Sequence, residues 1–182
     1  MFRDLDAEWP APNEMRAASG YPGAAYWQQE VDYVIQTRLD TVNHAVSGSE
    51  RIDYHNNSPD ALRYLWVQLD QNVRSLEYSR TYAAQGALPK EMSERARRFL
   101  GADPFDGGYD IKAVRVQTPG GPLAEAEHRI NNTVMRVNLP APLEPGGDVA
   151  VEIEWSFNVP DYGRGAKEQV EDGWIYEIAQ WF

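Results

Sequence analysis

The sequence predicts a mainly β protein: an antiparallel β-sandwich or saddle-shaped sheet with one short helical insertion. Three observations carry that expectation. From Val149 to Val159 apolar and polar side chains alternate almost without a break, the period-two pattern of a strand with one buried and one wet face. Shorter alternating runs recur upstream, separated by Pro- and Gly-containing turns. Strand-like and helix-like runs do not alternate, so the chain lacks the βαβ rhythm of a parallel sheet.

The elements follow in order. Residues 1–24 mix Pro10, Pro12, Pro22, Gly20 and Gly23 with charges and keep no period, which predicts an irregular arm ahead of a single β domain over residues 25–182. Val31, Tyr33, Ile35, Thr37 and Leu39 alternate with polar neighbours as a half-buried strand, and "DTVNHAVSGS" turns into the next. Ile52 and Tyr54 continue that strand until "NNSPD" closes it with turn residues. In "ALRYLWVQLD" apolar residues occupy both parities, which predicts a central strand covered on both faces. Between Asn72 and Phe105 the chain becomes charged and Ala-rich, and "PKEMSERARRFLG" has the composition and Gly101 stop of a short helix. Strand signals return at "YDIKAVRVQ" and "NNTVMRVNL", then in the long run through Trp155. "PDYGRGAKEQVEDG" is expected to be a polar loop. The closing "WIYEIAQWF" predicts a last strand with Trp174, Tyr176, Ile178 and Gln180 on one side.

Composition narrows the function classes. With 182 residues, six Trp, ten Tyr and five Phe, the chain is long and aromatic enough to bury a core. A formal charge of -11 offers no basic stripe for nucleic acid and no attraction to anionic membrane surfaces. The absence of cysteine excludes disulfides and thiolate zinc sites. No apolar stretch reaches the roughly 18 residues of a membrane span and no export signal is visible, so a soluble chain of cytoplasm or periplasm is expected.

Catalytic motifs are sparse. A zincin needs two His one helical turn apart with a Glu between them, and His44, His55 and His128 do not have that spacing. Glu125 and His128 are three apart in "EAEH" but read as solvated surface. His44 and His55 are expected to be exposed. Nucleophile elbow, P-loop and dinucleotide fingerprints are all missing. Glu152 and Glu154 share an outward strand face, where solubility is a better explanation than acid/base chemistry. Asn56 and Asn131 each begin an Asn-x-Ser/Thr triplet, best explained by turn chemistry; glycosylation would require an exporting eukaryotic host. Trp66, Trp155 and Trp174 are expected in the core rather than on a carbohydrate platform.

Four blocks carry a resemblance: "YWQQEVDYVIQTRLD", "HAVSGSERIDYHNNSPDALRYLWVQLDQN", "NNTVMRVNLPAPLEPGG" and "GWIYEIAQWF". In that order they resemble the N-terminal saddle-like β domain of the aminopeptidase N family of zinc metallopeptidases, of bacterial type, from about Ala25 to the last residue. The resemblance implies a non-catalytic domain that packs against a thermolysin-like catalytic domain. That partner would supply the His-Glu-x-x-His motif and the zinc; this chain holds no catalytic residue and no metal ligand. In the family the final strand of this domain contributes a Gln or Glu that holds the free amino group of the peptide substrate. The resemblance places that role on Gln180, with Glu177 in reserve, because an amide or carboxylate oxygen accepts hydrogen bonds from an ammonium group. Two other functions compete: a free-standing β-sandwich module binding peptide or glycan through exposed aromatics, and an assembly subunit pairing through a sheet edge.

Overall fold

The computed structural model describes residues 11–78, 105–161 and 166–178. Within them the chain forms ten strands: β1 (Glu30–Asp40), β2 (Ala45–His55), β3 (Leu62–Gln68), β4 (Asp110–Gln117), β5 (Ala124–Glu125), β6 (His128–Asn131), β7 (Val134–Leu143), β8 (Asp148–Asn158), β9 (Ala166–Val170) and β10 (Gly173–Glu177). All pairings are antiparallel. A five-stranded sheet has the order β1-β2-β8-β4-β5, a three-stranded sheet the order β3-β7-β6, and β9 and β10 form a hairpin. A 3-10 turn, Asp70–Arg74, follows β3. The short helix expected in "PKEMSERARRFLG" lies outside the described residues.

The alternation through Trp155 builds the core. Val149, Val151, Ile153, Trp155 and Phe157 are buried on one face of β8, and Val159, just past its end, is buried with them. They meet Val46 and Ile52 of β2, Val114 and Val116 of β4, and, from the smaller sheet, Leu65, Met135, Val137 and Leu143. The two inner faces thus share one hydrophobic layer, as a sandwich requires. Each fully buried aliphatic side chain stabilises the fold by roughly 1.5–3 kcal/mol. Gly48 makes room for the largest of the core residues: a Cβ there would stand 2.8 Å from Trp155 Cζ2 and 2.9 Å from the Gln36 carbonyl.

Three expectations need correction. Among the described residues strand β3 is an edge strand, not a central one, with β7 in the middle of its sheet. Leu65 is buried, but Tyr64 is 40% and Trp66 60% exposed. A run apolar on both parities signals two covered faces only when both faces find partners, and here one carries aromatics toward solvent. Consequently Trp66 is not a core residue, nor is Trp174 at 40% exposure; of the three tryptophans Trp155 alone is buried. The stretch from 160 to 173 is not simply a loop, because Ala166–Val170 pairs with Gly173–Glu177. The reading of Glu125 and His128 as surface holds: both are exposed, at the end of β5 and the start of β6.

The two Asn-x-Ser/Thr triplets are turns. Asn132 takes φ 54° between β6 and β7, a left-handed conformation that asparagine tolerates. Asn56 is wholly buried and is tied by its side chain to Ser58 and Asp60. Its amide nitrogen already donates to two backbone carbonyls, which leaves it no freedom to accept a glycan.

Candidate functional site

The closing segment of the sequence, from Gly173 on, begins with β10. Glu177 is its last residue, opposite Ala166 of β9, and is exposed on the same face as Ile175. Trp174 and Tyr176 alternate with them and face the body of the protein. The Tyr176 hydroxyl shares a 2.6 Å hydrogen bond with His44 Nδ1, and the His44 ring packs on Trp174 with centroids 4.3 Å apart. His44 reaches them from the β1–β2 turn by adopting φ 53°. On the β9 side, Lys167 Nζ donates to the Val159 carbonyl at 2.8 Å and pairs with Asp161 at 2.7 Å. The hairpin is therefore fastened to one end of the five-stranded sheet while the Glu177 carboxylate faces solvent, where it can accept a hydrogen bond from an ammonium group. Gln180, the first choice for that role, lies outside the described residues.

The histidines do not converge on a metal. His44 is not simply exposed, since it forms the latch just described. His55 Nδ1 meets Asp148 at 2.7 Å across β2 and β8, and His128 Nδ1 lies 3.2 Å from the Ala126 carbonyl oxygen. Among the described residues no three His, Cys, Asp or Glu side chains come together as a metal site. These residues do not fit a zinc ion.

The outer face of the five-stranded sheet carries a ladder of charge. Arg51 on β2 pairs with Asp53 at 2.9 Å and with Glu152 on β8 at 3.0 Å. Arg115 on β4 pairs with Glu125 on β5 and Glu154 on β8. Glu152 and Glu154 thus each face a guanidinium rather than one another, and serve the sheet surface. Beside the ladder a cavity of about 560 Å³ is lined by Glu30, Asp32, Asp53, His55, Asp148 and Thr118.

Two further features were not visible in the sequence. Tyr64 and Trp66 meet edge to face with centroids 5.9 Å apart, and the Arg136 guanidinium lies 4.1 Å over the Tyr64 ring. The second is a buried carboxyl: Glu50, only 7% exposed, stands on the inner side of β2 between Ile35 of β1 and Ile153 of β8. Burial holds it above the usual carboxyl range. Tyr109 is likewise raised, first by burial and then by the charges of Glu50 and Asp70. Alternation does place Glu50 in phase with Ile52, but a lone Glu on an apolar parity is as compatible with a fraying edge as with a core.

Glu50 sets a pH dependence. Its folded state holds the proton more tightly than the unfolded chain does, so its contribution to stability is complete below the unfolded value of about 4.3 and is lost as pH rises through the raised folded value. Glu50→Gln removes that loss. Urea midpoints should show the variant more stable by about 1–2 kcal/mol at pH 7, with the difference shrinking toward pH 4. A variant less stable than the parent at pH 7 would contradict this account.

Compared with known proteins, the chain matches no protein-family profile and no curated sequence. Among the described residues no helix is long and apolar enough to cross a membrane.

Proposed function

We propose that this chain is the non-catalytic N-terminal β domain of a zinc-dependent aminopeptidase of the aminopeptidase N kind, acting as scaffold and as one wall of the substrate cleft. The observation that carries the reading is where the four resembling sequence blocks fall. The first contains β1, the second β2 and β3, the third β7 and the last β10. They therefore cover strands of all three sheets. A further support is the Trp174–Tyr176–His44 latch, which holds β10 against the body while Ile175 and Glu177 stay exposed for a neighbouring domain and a substrate amine.

In this role the chain orients the substrate and performs no bond cleavage. The ammonium group of a peptide is held by an oxygen acceptor on or just after β10, Gln180 first and Glu177 in reserve, which fixes the register of the scissile bond in the cleft. The zinc and the His-Glu-x-x-His motif belong to the catalytic domain of the parent protein. The 182-residue chain incubated with zinc should hydrolyse aminoacyl amides no faster than buffer. Turnover that a chelator abolishes would overturn the non-catalytic reading.

The alternative, a module binding peptide or glycan, has the exposed Tyr64 and Trp66 in its favour. Their rings meet at 80°, however, and one face of Tyr64 is covered by Arg136, so they do not make the flat platform on which sugars stack.

A further inference from the structure

We infer that the outer edge of β1 is a self-association site, pairing antiparallel with β1 of a second copy about a two-fold axis at Ile35. The two five-stranded sheets then continue into one another.

The first support is that, among the described residues, no second strand pairs with this edge. β1 runs for eleven residues against β2 without a register shift, and among the described residues β2 is its only strand neighbour. Proteins protect such edges with proline, charged side chains and lysine above all, bulges or brevity. β1 contains neither proline nor lysine, and its four charges, Glu30, Asp32, Arg38 and Asp40, are of both signs, so that a second copy can meet them with complementary ones. The other edges are short or interrupted: β5 has two residues, β6 has four, and the pairing of β3 shifts register between Leu62 and Tyr64. β1 also exposes Tyr33 (54%), Val34 (58%) and Leu39 (42%) along this border.

The second support is charge complementarity, which selects the occupant. With Ile35 opposite itself, Asp32 of each copy stands opposite Arg38 of the other, so two ion pairs form by symmetry. On the inner face, in the same register, Val31 meets Leu39, Ile35 meets Ile35 and Tyr33 meets Thr37. The one like-charge pairing, Glu30 with Asp40, falls at the two ends. There the Asp40 carboxylate is already turned onto the Val42 and Asn43 backbone N–H groups. A chain with a charge of -11 resists association at low ionic strength, and at about 0.15 M salt, with a Debye length near 8 Å, the local pairs outweigh that repulsion.

Sedimentation velocity on the full 182-residue chain, from micromolar to near-millimolar concentration at that salt, should show a monomer passing into a dimer. Asp32→Arg and Arg38→Asp each replace two attractions by two repulsions and should each weaken the dimer by about tenfold or more. The double exchange should restore it. Circular dichroism controls for folding, since both side chains are exposed. As the chain has no cysteine, Ile35→Cys should add a single disulfide across the axis on oxidation. A monomer at every concentration, or a dimer indifferent to both charge reversals, or failure of the double exchange to restore association in folded variants, would overturn the inference.

Discussion

Asn56→Ala is expected to destabilise the protein by about 3 kcal/mol and to lower its melting temperature by about 10 °C. The Asn56 side chain is completely buried, and every polar atom on it has a partner. Its Oδ1 accepts from the Ser58 backbone N–H at 3.1 Å, the Ser58 hydroxyl at 2.7 Å and Gln29 Nε2 at 3.1 Å. Its Nδ2 donates to the carbonyls of Asp60 at 2.9 Å and Leu143 at 3.0 Å. One side chain thereby joins the segment ahead of β1, the β2–β3 turn and the end of β7. Alanine would leave buried donors and acceptors unmatched, and that penalty exceeds the modest net contribution of a hydrogen bond made in water. Asn56→Asp should be at least as damaging, because it deletes both donations and buries a charge. Asn57→Ala, on the exposed neighbour, should stay within about 0.5 kcal/mol of the parent. Thermal unfolding of the three variants checks the set; an Asn56→Ala protein melting within about 2 °C of the parent would remove Asn56 from its central place.

The second large effect follows from the proposed role as a domain of an aminopeptidase. If an oxygen at the end of the chain holds the substrate amine, Gln180→Ala should raise KM for peptides with free amino termini about ten- to a hundredfold. That is the size of one charge-assisted hydrogen bond. Melting of the domain should not change, since the group lost acts on substrate. The same substitution should leave N-acetylated substrates almost untouched, and an equal loss on both would argue for a structural role. Glu177→Gln tests the reserve candidate in the same kinetic assay: whichever of the two substitutions raises KM for free amino termini alone marks the residue that holds the amine.

Much of the architecture was legible because strand faces are a local property. Val149 to Val159 announced its buried side through alternation alone, and the six residues on that side are the heart of the core. "NNSPD" and "NNT" announced turns because asparagine hydrogen-bonds its own backbone wherever it sits. The failures are equally particular. Trp66 looks the same in sequence whether β3 lies in the middle of a sheet or at its border, and only the pairing with β7 decides that one face stays open. The polar "AKEQV" becomes a strand because β10 lies beside it in a hairpin, not through any apolar pattern of its own.

The candidate site was less legible than the fold. Glu177 and Gln180 came from resemblance, whereas the contacts that hold β10 in place join His44 to Trp174 and Tyr176 across most of the chain. By itself the sequence determined the β class, the buried parity of β2 and β8, the principal turns and the absence of a zincin motif. Tertiary structure decided which strands are neighbours, that Trp155 rather than Trp66 or Trp174 is core, and where Glu50 becomes a buried carboxyl. The division has a physical origin. Period, turn chemistry and charge are written into backbone geometry over a few residues, but burial depends on partners such as β2 and β8, brought together over about a hundred residues of intervening chain. No local pattern carries that closure.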